Sequence, residues 1–184
     1  LFLDELPEFN RRTLELLRQP LEDRVVTISR VLTSTTFPAD FMLVAALNPC
    51  PCGYRSDPRR NCCCTPPQIE RYMGKISGPL VDRIDIHVEV PGTHFKELSS
   101  KTAGTSSADI RELVTAARKV QYERFSDTPV MYNAQMSSKQ IRSHCPLDRQ
   151  CMSLLKMSFD ELGLSARAHD KVLRLARTIA DIDA

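Results

Sequence analysis

The sequence opens with a short apolar stretch that ends in two adjacent acids. Leu1, Phe2 and Leu3 show no alternation of apolar and polar residues, a pattern typical of a strand buried on both faces of a parallel sheet. Asp4 and Glu5 follow directly and would emerge at the carboxyl end of that strand, where parallel sheets bind ligands. The alternative is that the two acids only begin a solvent-exposed helix after a buried strand.

A second stretch, Phe41 to Leu47, is also apolar throughout and predicts another buried strand. It ends at Asn48, just before Pro49. Because the carboxyl ends of parallel strands meet at one edge of a sheet, we expect Asn48 and the Asp4-Glu5 pair to face the same ligand. Taken alone, Asn48 is explained equally well as the cap of a strand before proline.

The residues between these strands predict a helix and a hairpin. Pro7 suits the first turn of a helix that we expect Pro20 to end. Residues 21–38 are rich in Val, Ile and Thr and predict two strands paired as a hairpin, with the break near Ser29 and Arg30.

Two more elements are predicted before the composition changes. Thr65 to Gln68 has the spacing of a capping box with proline at the first helical position, which predicts a short helix ended by Gly74. Ile86 to Val90 alternates apolar and polar residues and predicts a strand that Pro91 ends.

Five of the seven cysteines lie between Cys50 and Cys64. Two close-set groups on either side of a polar loop can place four thiolates around one tetrahedral ion, for which zinc is the natural candidate. The preferred ligands are Cys50, Cys52, Cys62 and Cys64, with Cys63 spare or a substitute. Unliganded reduced thiols are the alternative. An odd number of cysteines, most of them in one cluster, favours a reduced cytoplasmic protein over a disulfide framework.

The last third of the chain has a different pattern. Residues 96–106 are rich in Ser, Thr, Gly and Lys and predict a linker. Beyond it, the apolar spacing predicts helices that begin near Ser106, Ser137 and Ser165, and one that Gly163 ends. Arg167 falls in the first turn of the last helix, where the helix dipole disfavours a cation unless an anion binds there. An ordinary exposed arginine is the alternative.

Charge and hydropathy limit the partners. A formal net charge of +2 neither requires nor excludes nucleic acid. No apolar run approaches the roughly 20 residues of a membrane-spanning helix, so we expect no membrane partner. The chain begins inside a predicted strand without an initiator Met, and we expect it to be a fragment.

The order of these features resembles the AAA+ ATPases. Three stretches of sequence are similar to those of the magnesium-chelatase-like ATPases of the bacterial competence type. They are Leu47–Gly53, Lys75–Leu80 and Leu164–Ala168. The resemblance covers nearly the whole chain apart from the linker and residues 125–135. It implies an α/β plus all-α fold, in which residues 1–95 are the C-terminal half of a P-loop NTPase core and residues 107–184 are a helical lid.

The resemblance also implies roles for single residues. Asp4 matches the magnesium-side acid of Walker B, Glu5 the general base, Asn48 sensor 1, Arg83 the arginine finger offered to a neighbouring subunit, and Arg167 sensor 2. The implied cofactors are ATP and Mg²⁺, and the implied assembly is a hexameric ring. The hairpin in residues 21–38 corresponds to the pre-sensor-1 hairpin, which touches nucleic acid in related rings.

Three functions follow as expectations. The first is a DNA-acting ATPase, a helicase or branch-migration factor in recombination during natural transformation. The second is the ATPase subunit of a true magnesium chelatase in tetrapyrrole synthesis, against which the cysteine cluster argues. The third is a non-enzymatic, zinc-stapled module for oligomerisation or DNA contact. The chain contains no Gly-x-x-x-x-Gly-Lys-Ser/Thr motif, so we expect it to be inactive alone.

Overall fold

The structure, a computed structural model, describes residues 1–92 and 104–184. The chain divides into two compact units, Leu1–Ser99 and Ser100–Ala184. Most of the predicted linker, residues 96–106, lies outside the described residues. Its last three residues, 104–106, precede a helix and have no regular secondary structure.

The first unit combines two small sheets with short helices. Its elements are β1 (Phe2–Leu3), a 3-10 turn (Leu6–Glu8), α1 (Arg11–Leu16), α2 (Arg18–Asp23), β2 (Val25–Arg30), β3 (Thr33–Pro38), β4 (Val44–Ala45), α3 (Pro66–Met73) and α4 (Gly78–Val81). Strands β1 and β4 pair in parallel, with Phe2 opposite Val44 and Leu3 opposite Ala45. Strands β2 and β3 form a separate antiparallel hairpin.

The core of the first unit covers one face of the parallel pair. Leu6, Leu14 and Leu80 are buried, and Leu3 and Ala45 pack against them. On the other face Phe2 is 64% exposed and Val44 45% exposed. The prediction that both strands are buried on two faces is therefore wrong for the described residues, because they supply a layer on one side of the sheet only. The second strand is also shorter than the predicted 41–47.

Two predicted boundaries shift. Pro20 does not end a helix but is the third residue of α2, where a helix needs no backbone donor. Helix α2 ends at Asp23 and is followed by Arg24 with φ 58°. The hairpin is confirmed, but its turn is at Val31 and Leu32, not at Ser29 and Arg30, which pair with β3.

The predicted strand at Ile86 to Val90 is wrong. These residues have no regular secondary structure, and Ile86, Val88 and Val90 are all exposed. Alternation makes a strand only where another strand offers hydrogen bonds, and none of the described residues pairs with this segment. By contrast, the helix after Thr65 is confirmed, since Gln68 accepts a hydrogen bond from the Thr65 backbone and Gly74 follows the last turn.

The second unit is helical. Its elements are α5 (Ser107–Arg124), a 3-10 turn (Asn133–Gln135), α6 (Ser138–His144), α7 (Arg149–Leu162) and α8 (Ala166–Ile182). The side chains of Ser106, Ser137 and Ser165 accept backbone hydrogen bonds at the helix starts, as predicted. Gly163, with φ 59°, ends α7. Among the described residues, no helix is both long and apolar enough to cross a bilayer.

A buried ion pair joins the last turns of α5 and α8. Asp181 is 3% exposed and accepts hydrogen bonds from Arg124 (2.7 Å), Asn133 (2.8 Å) and Arg177 (3.1 Å). Burial opposes ionisation of Asp181, but the hydrogen bonds from Arg124 and Asn133 outweigh it and lower its pKa to about 2. The apolar core of this unit is formed by Phe125, Met136, Ile141 and Leu173.

Replacing Asp181 by Ala should destabilise the helical unit by roughly 3–5 kcal/mol, because Arg124 is left buried without its charge partner. Urea unfolding followed by circular dichroism measures the loss, and Asp183→Ala at the exposed end of the same helix is the control. Since the folded pKa lies below the unfolded value, the difference should be full above about pH 4 and shrink as the pH falls towards 2. Equal stabilities of the two variants at pH 7 would contradict this.

Candidate functional site

The hydrogen bonds of the parallel pair bring two predicted site segments to one edge. Val44 donates to the Leu1 carbonyl and Ala46 to the Leu3 carbonyl, each at 2.9 Å. The Leu6 backbone then donates to the Ala46 carbonyl at 3.0 Å. Asp4 and Glu5 lie within this ladder and Asn48 follows it by two residues. All three side chains are exposed at the carboxyl end of the strands.

Glu5 has a constrained backbone at this edge. Its φ of 50° and ψ of 48° lie in the left-handed region, which residues other than glycine seldom adopt. The Asp4 side chain accepts a hydrogen bond from the Glu5 backbone at 2.9 Å, which supports this turn. Strain of this kind costs about 1–3 kcal/mol and is concentrated at functional sites. The turn leaves both carboxylates exposed to solvent, where they can bind a cation.

Four cysteines converge within the loop between β4 and α3. The Sγ atom of Cys50 is 3.4 Å from that of Cys52 and 3.7 Å from that of Cys62, and Cys52 is 3.5 Å from Cys62. With Cys64, all four sulfur atoms lie within 4.8 Å of one another. Four sulfurs about 2.3 Å from a tetrahedral ion would be about 3.8 Å apart, so the set fits such an ion. Cys63 is exposed and outside the set.

The thiols of the cluster differ in acidity. A hydrogen bond from the Tyr54 backbone lowers the pKa of Cys52 to about 5. Burial raises the pKa of Cys64 to about 12. Because neighbouring thiolates repel one another, four of them would be stable together only around a cation. The donor set therefore matches a thiolate-binding metal.

The cysteine loop and helix α3 meet at Asn48. Gly53, with φ 79°, lies against the Asn48 side chain, since a Cβ built on Gly53 would be 4.0 Å from Asn48 Cγ. Tyr72 is 6% exposed, and the Asn48 backbone is among the groups that shift its pKa. Burial, followed by the charges of Glu8 and Glu5, raises the pKa of Tyr72. Tyr72 therefore stays neutral beside the acidic edge.

Arg83 is held within its own unit. Its guanidinium forms an ion pair with Glu22 at the end of α2 and donates to the Pro79 carbonyl at 2.6 Å. The side chain is 16% exposed. A role for Arg83 in a neighbouring subunit would require it to leave Glu22.

Arg167 belongs to the second unit. It is the second residue of α8 and is exposed. Asp4, Glu5 and Asn48 are thus brought to one edge of the first unit, Arg83 contacts α2, and Arg167 lies in the helical unit.

Two residues at this site were missed in the sequence. Glu22 precedes its partner Arg83 by 61 positions, and no local pattern links them. Tyr72 lies inside the helix predicted after Thr65, and that prediction gives it no further role. A signal was present, because a helix that starts two residues after Cys64 must place its second turn near the cysteine loop.

Family comparisons match nearly all of both units. Residues 1–98 match the family described as magnesium chelatase, subunit ChlI, and residues 104–184 match the family described as magnesium chelatase, subunit ChlI C-terminal. The two matched ranges are separated by residues 99–103, and the division between the two compact units falls within that interval.

Similar curated proteins are found in several bacteria. YifB of Escherichia coli is 44% identical over 185 residues, which cover 100% of this chain and 35% of that protein. The competence protein ComM of Haemophilus influenzae is 42% identical over 99% of the chain and 35% of its own length. YifB of Salmonella typhimurium is also 42% identical, over 100% of the chain. The chain spans about a third of the length of these relatives.

Proposed function

Because the chain belongs to the magnesium chelatase subunit ChlI family and is of the ComM/YifB type, we propose that it is part of a magnesium-dependent AAA+ ATPase that acts on DNA. The observation that carries this proposal is the shared edge of β1 and β4, where Asp4 and Glu5 lie beside the end of the strand that leads to Asn48. Carboxylates at the carboxyl ends of parallel strands are suited to a magnesium-bound phosphate.

Each residue at the edge has a proposed task. The exposed carboxylate of Asp4 would hold Mg²⁺, which neutralises charge on the nucleotide phosphates when bound. Glu5 accepts a proton from the attacking water and so acts as the general base. The Asn48 amide, two residues beyond the hydrogen-bonded ladder, orients that water or the terminal phosphate.

The remainder of the nucleotide site is proposed to come from a longer protein, here called the full-length protein. The apolar face that contains Phe2 and Val44 is exposed, as expected of a sheet that further strands and helices would cover. The relatives are about three times as long as this chain, and the chain itself contains no P-loop motif. The phosphate-binding loop is therefore assigned to the rest of that protein.

A ring of subunits completes the proposal. Arg83 would leave Glu22 to stabilise the phosphoryl group in a neighbouring subunit, and Arg167 would contact the nucleotide from the helical lid. An arginine supplied by a neighbouring subunit makes ATP hydrolysis depend on assembly of the ring. The resemblance to related ATPases implies that this ring is a hexamer.

Zinc is the proposed ion of the cysteine cluster. Three of the cysteine sulfurs are 3.4–3.7 Å apart and all four lie within 4.8 Å of one another, which suits the tetrahedral thiolate coordination of zinc. The cluster joins the end of β4 to the start of α3, so the ion would have a structural task.

DNA is the proposed partner because of the hairpin. Val31 and Leu32 at its tip are fully exposed, and every residue of β3 is exposed. Thr27 and Thr36, like Ser29 and Ser34, form hydrogen bonds across the strands at 3.1 Å, which stiffen the hairpin. A stiff, exposed hairpin with Thr and Ser pairs on one face can enter a ring pore and contact a nucleic acid backbone.

Glu5→Gln in the full-length protein should lower kcat for ATP hydrolysis by about 100-fold or more, with little change in ATP affinity, because the amide cannot accept the proton. Steady-state hydrolysis and equilibrium binding of a labelled nucleotide measure the two effects. Glu70→Gln, at an exposed position of α3, is the matched control, and the 184-residue chain without a P-loop is the inactive reference. A normal rate in Glu5→Gln would remove Glu5 from the base role.

Reduced protein purified without chelators should contain about one zinc ion per chain. Cys50→Ser should lose the ion, because Cys50 has no neighbouring spare thiol, whereas Cys63→Ser should keep it. Atomic absorption measures the content. Zinc-free wild-type protein, or equal loss in the two variants, would be incompatible with the proposed ligand set.

The response of ATP hydrolysis to added DNA or to a porphyrin-binding partner distinguishes the two enzymatic functions. A DNA motor should hydrolyse ATP faster when DNA is added, and deletion of the Val31-Leu32 tip should reduce that stimulation without changing the basal rate. A magnesium chelatase ATPase would respond instead to its porphyrin-binding partner subunit. Stimulation by that partner alone would exclude the DNA assignment.

A further inference from the structure

The polar loop between the two cysteine groups carries charge that the proposed roles do not use. Residues 54–60, here called the arginine loop, contain three arginines, which are Arg55, Arg59 and Arg60. The only acid in residues 50–69 is Asp57. The chain as a whole has a net charge of only +2, so this local excess of cations makes the loop a candidate surface for an anionic partner.

The acid of the arginine loop is paired within the loop. The Asp57 carboxylate accepts a hydrogen bond from the Arg59 backbone at 2.8 Å and lies 3.4 Å from the Arg59 guanidinium, and its side chain is 19% exposed. Among the described residues, neither Arg55 nor Arg60 forms a salt bridge, and both are exposed. The unpaired positive charge of the loop is therefore that of Arg55 and Arg60.

Arg60 is held in its exposed position by Tyr54. Its guanidinium donates a hydrogen bond to the Tyr54 hydroxyl at 2.7 Å, and its Cζ atom is 4.9 Å from the centroid of the Tyr54 ring. Most N–H donors of the guanidinium stay available for another partner. Because the side chain is already ordered, binding a ligand there costs less conformational entropy than it would for a free arginine.

The cysteine cluster fixes the base of the arginine loop. The sulfur atoms of Cys52 and Cys62, which flank the loop, are 3.5 Å apart, and the Gly53 backbone donates to the Cys50 carbonyl at 3.0 Å. The thiols are less exposed than the arginines, since Cys50 is buried and Cys52 and Cys62 are half-buried. A loop closed at its base presents its arginines on a defined surface.

The composition of the arginine loop favours a phosphate backbone over a protein surface. Stable protein interfaces centre on large side chains that fill pockets of the partner. Residues 55–61 contain no apolar side chain except that of Pro58, and the Tyr54 ring is covered by Arg60. A guanidinium, by contrast, binds phosphate oxygens through two parallel hydrogen bonds.

We propose that the arginine loop is a second DNA contact of the protein, in which Arg55 and Arg60 bind the phosphate backbone without reading the base sequence. This inference rests on the proposed function as an ATPase that acts on DNA, and it adds a contact surface separate from the tip of the hairpin. The cysteine cluster would then hold a DNA-binding loop in place as well as joining β4 to α3.

Equilibrium binding of fluorescently labelled DNA to the full-length protein tests this contact. Arg55→Ala and Arg60→Ala should each weaken binding about three- to tenfold, and equally for two unrelated DNA sequences, because a phosphate contact carries no sequence information. The slope of log affinity against log salt concentration should become shallower by about one in each variant. Arg11→Ala, which removes an exposed cation of α1, is the matched control and should change neither quantity. Zinc content should equal that of the wild type in all three variants.

Wild-type affinity and salt slope in either arginine-loop variant would overturn the inference, as would a loss confined to one of the two DNA sequences. Light scattering tests the alternative that the loop contacts a neighbouring subunit, and loss of assembly with normal DNA binding by the remaining rings would also overturn it. If the wild-type protein binds no DNA, the proposed function fails together with the inference. If the wild type binds DNA and deletion of the Val31-Leu32 tip weakens binding while the arginine-loop variants do not, only the inference fails.

Discussion

The parallel hydrogen bonding between β1 and β4 is the interaction on which the candidate site depends. Three backbone hydrogen bonds of 2.9–3.0 Å set the register of two very short strands. A slip by one residue would turn Leu3 and Ala45 away from Leu6, Leu14 and Leu80. Burial of these apolar side chains therefore selects the register, and the register places the acids and Asn48 at one edge.

The cysteine cluster extends that arrangement beyond the sheet. It begins two residues after Asn48 and ends one residue before α3 is capped, so it fixes the path of the chain between the strand and the helix. Within this loop Gly53 turns close to the Asn48 side chain. A site built from a two-residue strand lacks rigidity of its own, and this loop supplies it.

Local signals were sufficient for part of this structure. Helix starts at Thr65, Ser106, Ser137 and Ser165 were predicted because a cap is a contact between residues three positions apart. The cysteine set was predicted from spacing, and the hairpin from strand propensity. Predictions failed where the outcome depends on distant residues: the segment from Ile86 to Val90 has no partner strand among the described residues, and Arg83 pairs with Glu22 across 61 positions. Residue roles came from resemblance, because spacing alone does not distinguish a ligand-binding edge from a capped strand.

The most direct test of the central claim is a cryo-electron microscopy map of the full-length Glu5→Gln protein with Mg²⁺ and ATP. The account predicts the terminal phosphate beside Asn48, with Mg²⁺ reaching the Asp4 carboxylate directly or through one water. A nucleotide bound elsewhere in the protein, with Asp4 and Asn48 contacting only solvent, would contradict it.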